Sequence, residues 1–260
     1  MKTKDPSSTM EPMRTNEKEI EYRVKLENYF NRSIGTDFDK LHNFAKFVPT
    51  QNLRKFICRY EIFKRILNVH GSIVECGVLF GGGLMEWAHL SEILEPLNHT
   101  RNIIGFDTFS GFPSLSDKDK TGKNFYKTGS HIRKDGLAID SYNDLLECIK
   151  LFDNSRFINH IQKVKLVKGD IKNTLHKYLK QSPHTVVSLL WLDFDIYEPT
   201  IVALKQLIPR IPKGGIIVFD ELNHEVWPGE TIAVMEEIGL NNLKLERFSF
   251  GGTMSYAIMI

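Results

Sequence analysis

No apolar run in the 260 residues approaches the roughly 18–20 that a membrane-spanning helix needs. The first 20 residues are polar and charged, with Pro6, Ser7, Ser8 and Pro12, so the apolar centre of a secretory signal is missing as well. Cysteine is scarce. Cys58, Cys76 and Cys148 are odd in number and widely spaced, with no Cys-x-x-Cys pair, which argues against a thiolate zinc site. A core of this size needs no disulfide staples. Neither sign of charge dominates: 34 Lys and Arg against 32 Asp and Glu leave no argument for nucleic acid or an anionic membrane as partner. Internal repeats and low-complexity blocks are also absent. These absences imply a soluble, cytoplasmic, globular chain with reduced and mostly buried thiols.

What is present is an ordinary balance, 42% hydrophobic and 25% charged, in a length that suits one α/β sheet with a helical preface. Residues 1–20 read as a disordered tail. Residues 21–70 read as a helical cap, with Phe56, Tyr60, Phe63 and Leu67 on one buried stripe. From residue 71 the pattern becomes short apolar strands alternating with helices. Strands are expected at 72–78, 102–106, 163–167, 185–192 and 215–219, with helices at 84–94 and 201–211. That alternation implies a parallel sheet with right-handed crossovers. Two further strands, 243–248 and 254–260, flank Gly251 and Gly252 as a terminal hairpin. Residues 110–141 have little periodicity, many charges and several glycines, the composition of a substrate lid or of a disordered insertion.

The first strand runs through Glu75 into Gly77, Val78, Gly81, Gly82 and Gly83, and a helix follows. Glycines let the chain turn sharply and let a ligand approach, and a helix start offers unpaired N–H groups. The spacing is Gly-x-x-x-Gly rather than the Gly-x-Gly-x-x-Gly of dinucleotide sites. An acid two residues before the first glycine suits S-adenosylmethionine, whose ammonium Glu75 can bind; a bare strand–helix turn is the plainer alternative. Asp107, ending the second strand, is placed to accept ribose hydroxyls, although a lone strand-end Asp is more often a loop cap. Gly169-Asp170-Ile171, ending the third, can face an adenine, although Asp170 also reads as a helix N-cap.

Strand four ends at Asp193 and Asp195, and strand five at Asp220 and Glu221. Neighbouring parallel strands lie about 4.8 Å apart, so these carboxylates meet at the sheet's carboxyl edge. Unpaired, they repel and raise one another's pKa; a cation resolves the conflict, and an all-oxygen set favours Mg²⁺, Mn²⁺ or Ca²⁺. Neutralisation by Arg, Lys or backbone amides is the alternative. A divalent cation beside a sulfonium donor suits O-methylation of a hydroxyl, a vicinal diol above all, with Asp195 as general base. His131 and His224 are candidate bases or substrate ligands, though surface or helix-end roles are commoner for such residues. An NAD(P)-dependent oxidoreductase shares the glycine corner but leaves the acidic strand ends unexplained. A non-methylating adenosylmethionine binder needs no acids there, and a small-phenol methyltransferase would differ only in acceptor.

The ordered motifs VECGV–GGG, GFDTFSGFP, KGDI, LDFDIYEPT, GGIIVFDEL and WPGE resemble the TylF/macrocin-type O-methyltransferases over residues 73–260, closest in character to the calicheamicin rhamnosyl 3-O-methyltransferase branch. The resemblance implies a Rossmann-like class I methyltransferase fold, with a mainly parallel seven-stranded sheet and an antiparallel C-terminal hairpin. It also implies S-adenosylmethionine and Mg²⁺ as cofactors, a sugar or phenolic acceptor and a homo-oligomer. On it, Glu75, Gly77, Val78, Gly81 and Gly82 hold the methionine part, and Asp107 the ribose, with Thr108 and Ser110 beside the cofactor. Gly169, Asp170 and Ile171 face the adenine. Asp193 borders the cofactor and, with Asp220 and Glu221, matches the metal positions; Asp195 matches the base. Many relatives carry Asp-Asp where this chain has Asp220-Glu221. The lysines of the lid (Lys118, Lys120, Lys123, Lys127, Lys134) suit either a phosphorylated acceptor or a solvated surface.

Overall fold

The computed structural model describes residues 15–120 and 134–260. The expected tail therefore lies mostly outside the described residues, as do His131, Lys123, Lys127 and the middle of the expected lid. Helix α1 (Glu17–Arg32) already begins within the stretch read as tail. Asn16 closes a capping box there: its side chain accepts from the Glu19 N–H, and Glu19 accepts from the Asn16 N–H. Helices α2 (Asp37–His42) and α3 (Thr50–Ile66) complete the preface. Next come β1 (Ser72–Cys76), α4 (Gly82–Leu94), β2 (Ile103–Asp107), α5 (Tyr142–Ser155), β3 (Val164–Lys168), α6 (Ile171–Gln181) and β4 (Val187–Leu192). The chain ends with α7 (Tyr197–Leu207), β5 (Ile216–Phe219), α8 (Pro228–Glu237) and β6 (Ser255–Ile258). Helix α7 starts ahead of the expected 201, because Pro199 is tolerated in a first turn where its missing N–H is not needed.

The strands form one sheet in the order β3-β2-β1-β4-β5-β6, all parallel except the antiparallel pair β5–β6. The mainly parallel α/β sheet and its antiparallel C-terminal strand are as expected, but six strands are described where seven were expected. Residues 243–248 make only an isolated bridge, Glu246 with Tyr256. Lys244, Leu245 and Arg247 are exposed there. The segment buries no continuous apolar face that would hold it down as an edge strand.

Strands β1 and β4 are buried along their whole length, and alternate side chains feed two cores. Ile73, Leu189, Trp191 and Val218 pack with α3, α4 and α5 on one face. Val74, Cys76, Leu190, Leu192 and Phe219 pack with α6, α7 and α8 on the other. The buried stripe of α3 is rotated from the expected one. Cys58, Arg59, Ile62, Phe63 and Ile66 are its buried residues, while Phe56, Tyr60 and Leu67 are only partly covered. The order of strands reverses between β1 and β4, and crevices open at such switch points beyond the strands' carboxyl ends. No helix of the described residues is long and apolar enough to cross a membrane.

Candidate active site

A cavity of about 470 Å³ opens at that switch point. Of the residues expected at a cofactor site, Glu75, Gly77, Val78, Gly82, Asp107, Thr108, Gly169, Asp170, Ile171 and Asp193 line it, together with Asp195, Asp220 and Glu221. Gly81 and Ser110 do not: Gly81 turns its α-carbon towards Leu145, and Ser110 is exposed. The two glycines at either end of the corner answer different demands. At Gly77 (φ +93°) an added Cβ would lie 1.9 Å from the Asp193 carbonyl oxygen, so glycine is imposed by the neighbouring strand rather than by a ligand. At Gly82 an added Cβ meets nothing within 4 Å, and the backbone there faces open space.

Asp107 acts as a loop cap. Its Oδ2 accepts from the Val78 N–H (2.7 Å) and the Leu79 N–H (2.9 Å), and its Oδ1 from the Phe109 N–H (2.7 Å). The second strand's terminal acid thus holds the first strand's turn. Asp170 lines the cavity and is also the α6 N-cap, its side chain accepting from the Lys172 N–H.

The acidic strand ends all line this cavity. Burial, and then the neighbouring Asp220, push the Asp193 carboxyl up to about 7. Burial, followed by Asp195, Asp220 and Asp193, pushes Glu221 well above the usual carboxylate range. Asp195 has φ +62°, a left-handed backbone that L residues rarely adopt and that functional loops tolerate. His224 is buried, and its Nδ1 accepts from the Val226 and Trp227 N–H groups (3.2 and 3.3 Å). That leaves the ring hydrogen on Nε2, 3.2 Å from Glu221 Oε2. The fully buried Glu230 accepts the Glu221 N–H at 2.9 Å. Among the described residues no three His, Cys, Asp or Glu side chains are already arranged to hold a metal ion. The donor chemistry nevertheless suits a hard cation, since the buried Glu221 Oε2, faced by the His224 ring, is grouped with the half-buried Asp193 and the buried Asp220.

Helix α3 supplies residues that the sequence pattern did not single out. Lys55 Nζ lies 3.3 Å from Asp220 Oδ2, and that carboxylate holds the ammonium above its ordinary pKa. Arg59 pairs with Glu86 at 2.6 Å, sits 4.5 Å from the centre of the Trp191 ring and faces Glu75. Burial, partly opposed by Arg59, raises Glu75 to about 8. The available signal was Arg59 itself, a cation within three or four residues of Cys58, Ile62 and Phe63 on the apolar face. Glu86, Phe112 and Trp227 also line the cavity. From the ends of the expected lid, Gly111, Pro113, Gly136 and Leu137 contribute as well.

Together the sheet order, the crevice and the acid-lined corner define a Rossmann-like α/β protein of the methyltransferase class. A crystal structure of CalS11, a calicheamicin methyltransferase, superposes with a TM-score of 0.87, is 32% identical and covers 94% of this chain and 93% of its own. The profile of the Macrocin-O-methyltransferase (TylF) family matches residues 9–237, and the chain belongs to that family. The apo structure of CalS11, described there as a TDP-rhamnose 3'-O-methyltransferase, is 29% identical with a TM-score of 0.79, covering 94% and 95% of the two chains. The demethyldecarbamoylnovobiocin O-methyltransferase of Streptomyces niveus is 27% identical over 191 residues, 73% of this chain. The chain spans 66% of that relative's own length.

Proposed function

We propose that this protein transfers the methyl group of S-adenosylmethionine to a sugar hydroxyl, on a glycoside or nucleotide-linked sugar of natural-product or surface-glycan biosynthesis, assisted by Mg²⁺ or Mn²⁺. The observation that carries this reading is the opening of Asp193, Asp195, Asp220 and Glu221 into the same cavity as Glu75, Gly82, Asp107 and Asp170. Family membership and the TDP-rhamnose in the name of CalS11 support the acceptor class.

The donor supplies a methyl group already activated on a sulfonium. When bound, a divalent cation lowers the pKa of a hydroxyl it touches. Asp193, Asp220 and Glu221 would hold that cation, with Glu221 steadied by the His224 ring and by the Glu230 carboxyl behind its backbone. Asp195 takes the hydroxyl proton as the oxygen–methyl bond forms and the sulfur–methyl bond breaks. Glu75 meets the donor's ammonium, Asp107 holds the turn under the ribose with Thr108 beside it, and Gly169, Asp170 and Ile171 border the adenine. Phe112 and Trp227, whose ring centroids lie 5.7 Å apart, exclude water on the acceptor side. A homo-oligomer fits the same reading, because α1 has no buried residue and leaves Ile20, Tyr22 and Val24 exposed.

The test is transfer of labelled methyl from S-adenosylmethionine to a panel of free, glycosidic and nucleotide-linked sugars. Label is expected on a sugar oxygen. Asp193→Ala or excess EDTA is expected to lower turnover by about a hundredfold or more, the scale of losing a positioned acid–base or cation contribution. Full activity in EDTA would remove the cation from the mechanism, and label on no sugar would remove the acceptor class.

A further inference from the structure

A second, smaller cleft of about 100 Å³ lies beside the main cavity and shares two wall residues with it, Lys55 and Asp220. Its other walls come from the start of α3, including Gln51 and Arg54, and from the loop before β6, including Gly252 and Thr253. A molecule whose reacting hydroxyl sat against Asp220 in the main cavity would reach this cleft by extending past the Lys55–Asp220 pair. We propose, building on the sugar-acceptor reading, that this cleft receives a phosphate ester carried on the acceptor's anomeric carbon.

Three observations support an anionic occupant. Arg54 is exposed and makes no ion pair or hydrogen bond with a described residue, so its planar fork of donors remains available for phosphate oxygens. Among the described residues the single carboxylate in the walls, Asp220, is already faced by the Lys55 ammonium at 3.3 Å. At the cleft floor the buried Cys58 thiol, raised by desolvation, feels the opposing positive fields of Arg59 and Arg54. The cleft also has room on its loop side, since an added Cβ at Gly252 meets nothing within 4 Å. Its volume of about 100 Å³ suits a phosphate group.

The experiment is calorimetry on the full chain saturated with S-adenosylhomocysteine, without added divalent cation, so that neither the cofactor cavity nor a metal offers the probe a seat. Thymidine diphosphate, inorganic pyrophosphate and thymidine are the three probes. Binding of both phosphorylated probes and not of thymidine is expected. Affinity for the diphosphate at least ten times that for pyrophosphate would mark a nucleotide-linked sugar; equal affinities would mark a simple sugar phosphate. Arg54→Gln, and separately Thr253→Glu, is expected to weaken thymidine diphosphate by tenfold or more while S-adenosylhomocysteine affinity stays unchanged. No binding of either phosphorylated probe at millimolar concentration, or wild-type affinity in both variants, overturns the proposal. Diphosphate binding by a chain that methylates no sugar would sink the function and leave the cleft. Methylation of a nucleotide-linked sugar with an unchanged KM in Arg54→Gln would sink the cleft and leave the function.

Discussion

Asp107 shows how one carboxylate can serve the architecture before it serves a ligand. Three backbone N–H groups of two separate segments end on it, so Asp107→Ala strands them in a part-buried turn. The expected loss is about 1–3 kcal/mol of folding stability, read by urea unfolding, together with at least tenfold weaker S-adenosylhomocysteine binding. Wild-type stability in that variant would show that the turn does not depend on the acid. The strand-end acids were legible because a carboxylate ending an apolar run has little reason to be there unless something outside the sheet uses it. Gly77 was legible as a turn glycine, but its cause was not. The clash it avoids is with a carbonyl 116 positions further along the chain, which no local pattern reports.

Helix α3 was legible as a helix, but its buried face is rotated from the expected one. The expected stripe used apolar spacing alone and so passed over Arg59, which lies among the helix's buried residues because Glu75, Glu86 and Trp191 receive it. Removing that cation leaves Glu86 and the buried Glu75 without their counter-charge. Arg59→Met is expected to cost about 3–5 kcal/mol in chemical denaturation, as for other buried pairs broken from one side. Its double variant with Glu86→Gln should recover part of that loss, and an unrecovered double variant would argue against the pairing. The C-terminal hairpin was half legible. Alternation predicts a strand at 243–248, but alternation only decides pairing where one face is buried, and here the charged positions leave a single bridge.

Across the whole molecule, the sheet gathers acids that cannot all ionise by themselves. With Asp193 raised from 3.8 to about 7, the cation-free fold keeps a proton that the unfolded chain releases. That contribution to stability is full below about pH 4 and is lost as pH rises through about 7. A divalent cation needs the ionised form, so its benefit runs the other way. Mg²⁺ at about a hundred times its Kd is expected to add about 2.7 kcal/mol near pH 8 and only a small part of that near pH 5.5. Thermal melts with and without Mg²⁺ at the two pH values decide it, and equal shifts at both would count against these carboxylates as the site.

The contact between Gly77 and the Asp193 carbonyl has a consequence for how such a protein can diversify. The glycine corner and the acid corner abut with no slack, so neither can drift without dragging the other. Altered acceptor choice must then come from the periphery, from the first turns of α3 and the loops over the crevice. A library randomised at those borders should yield new acceptors, whereas one randomised at the two strand ends should yield mostly misfolded chains.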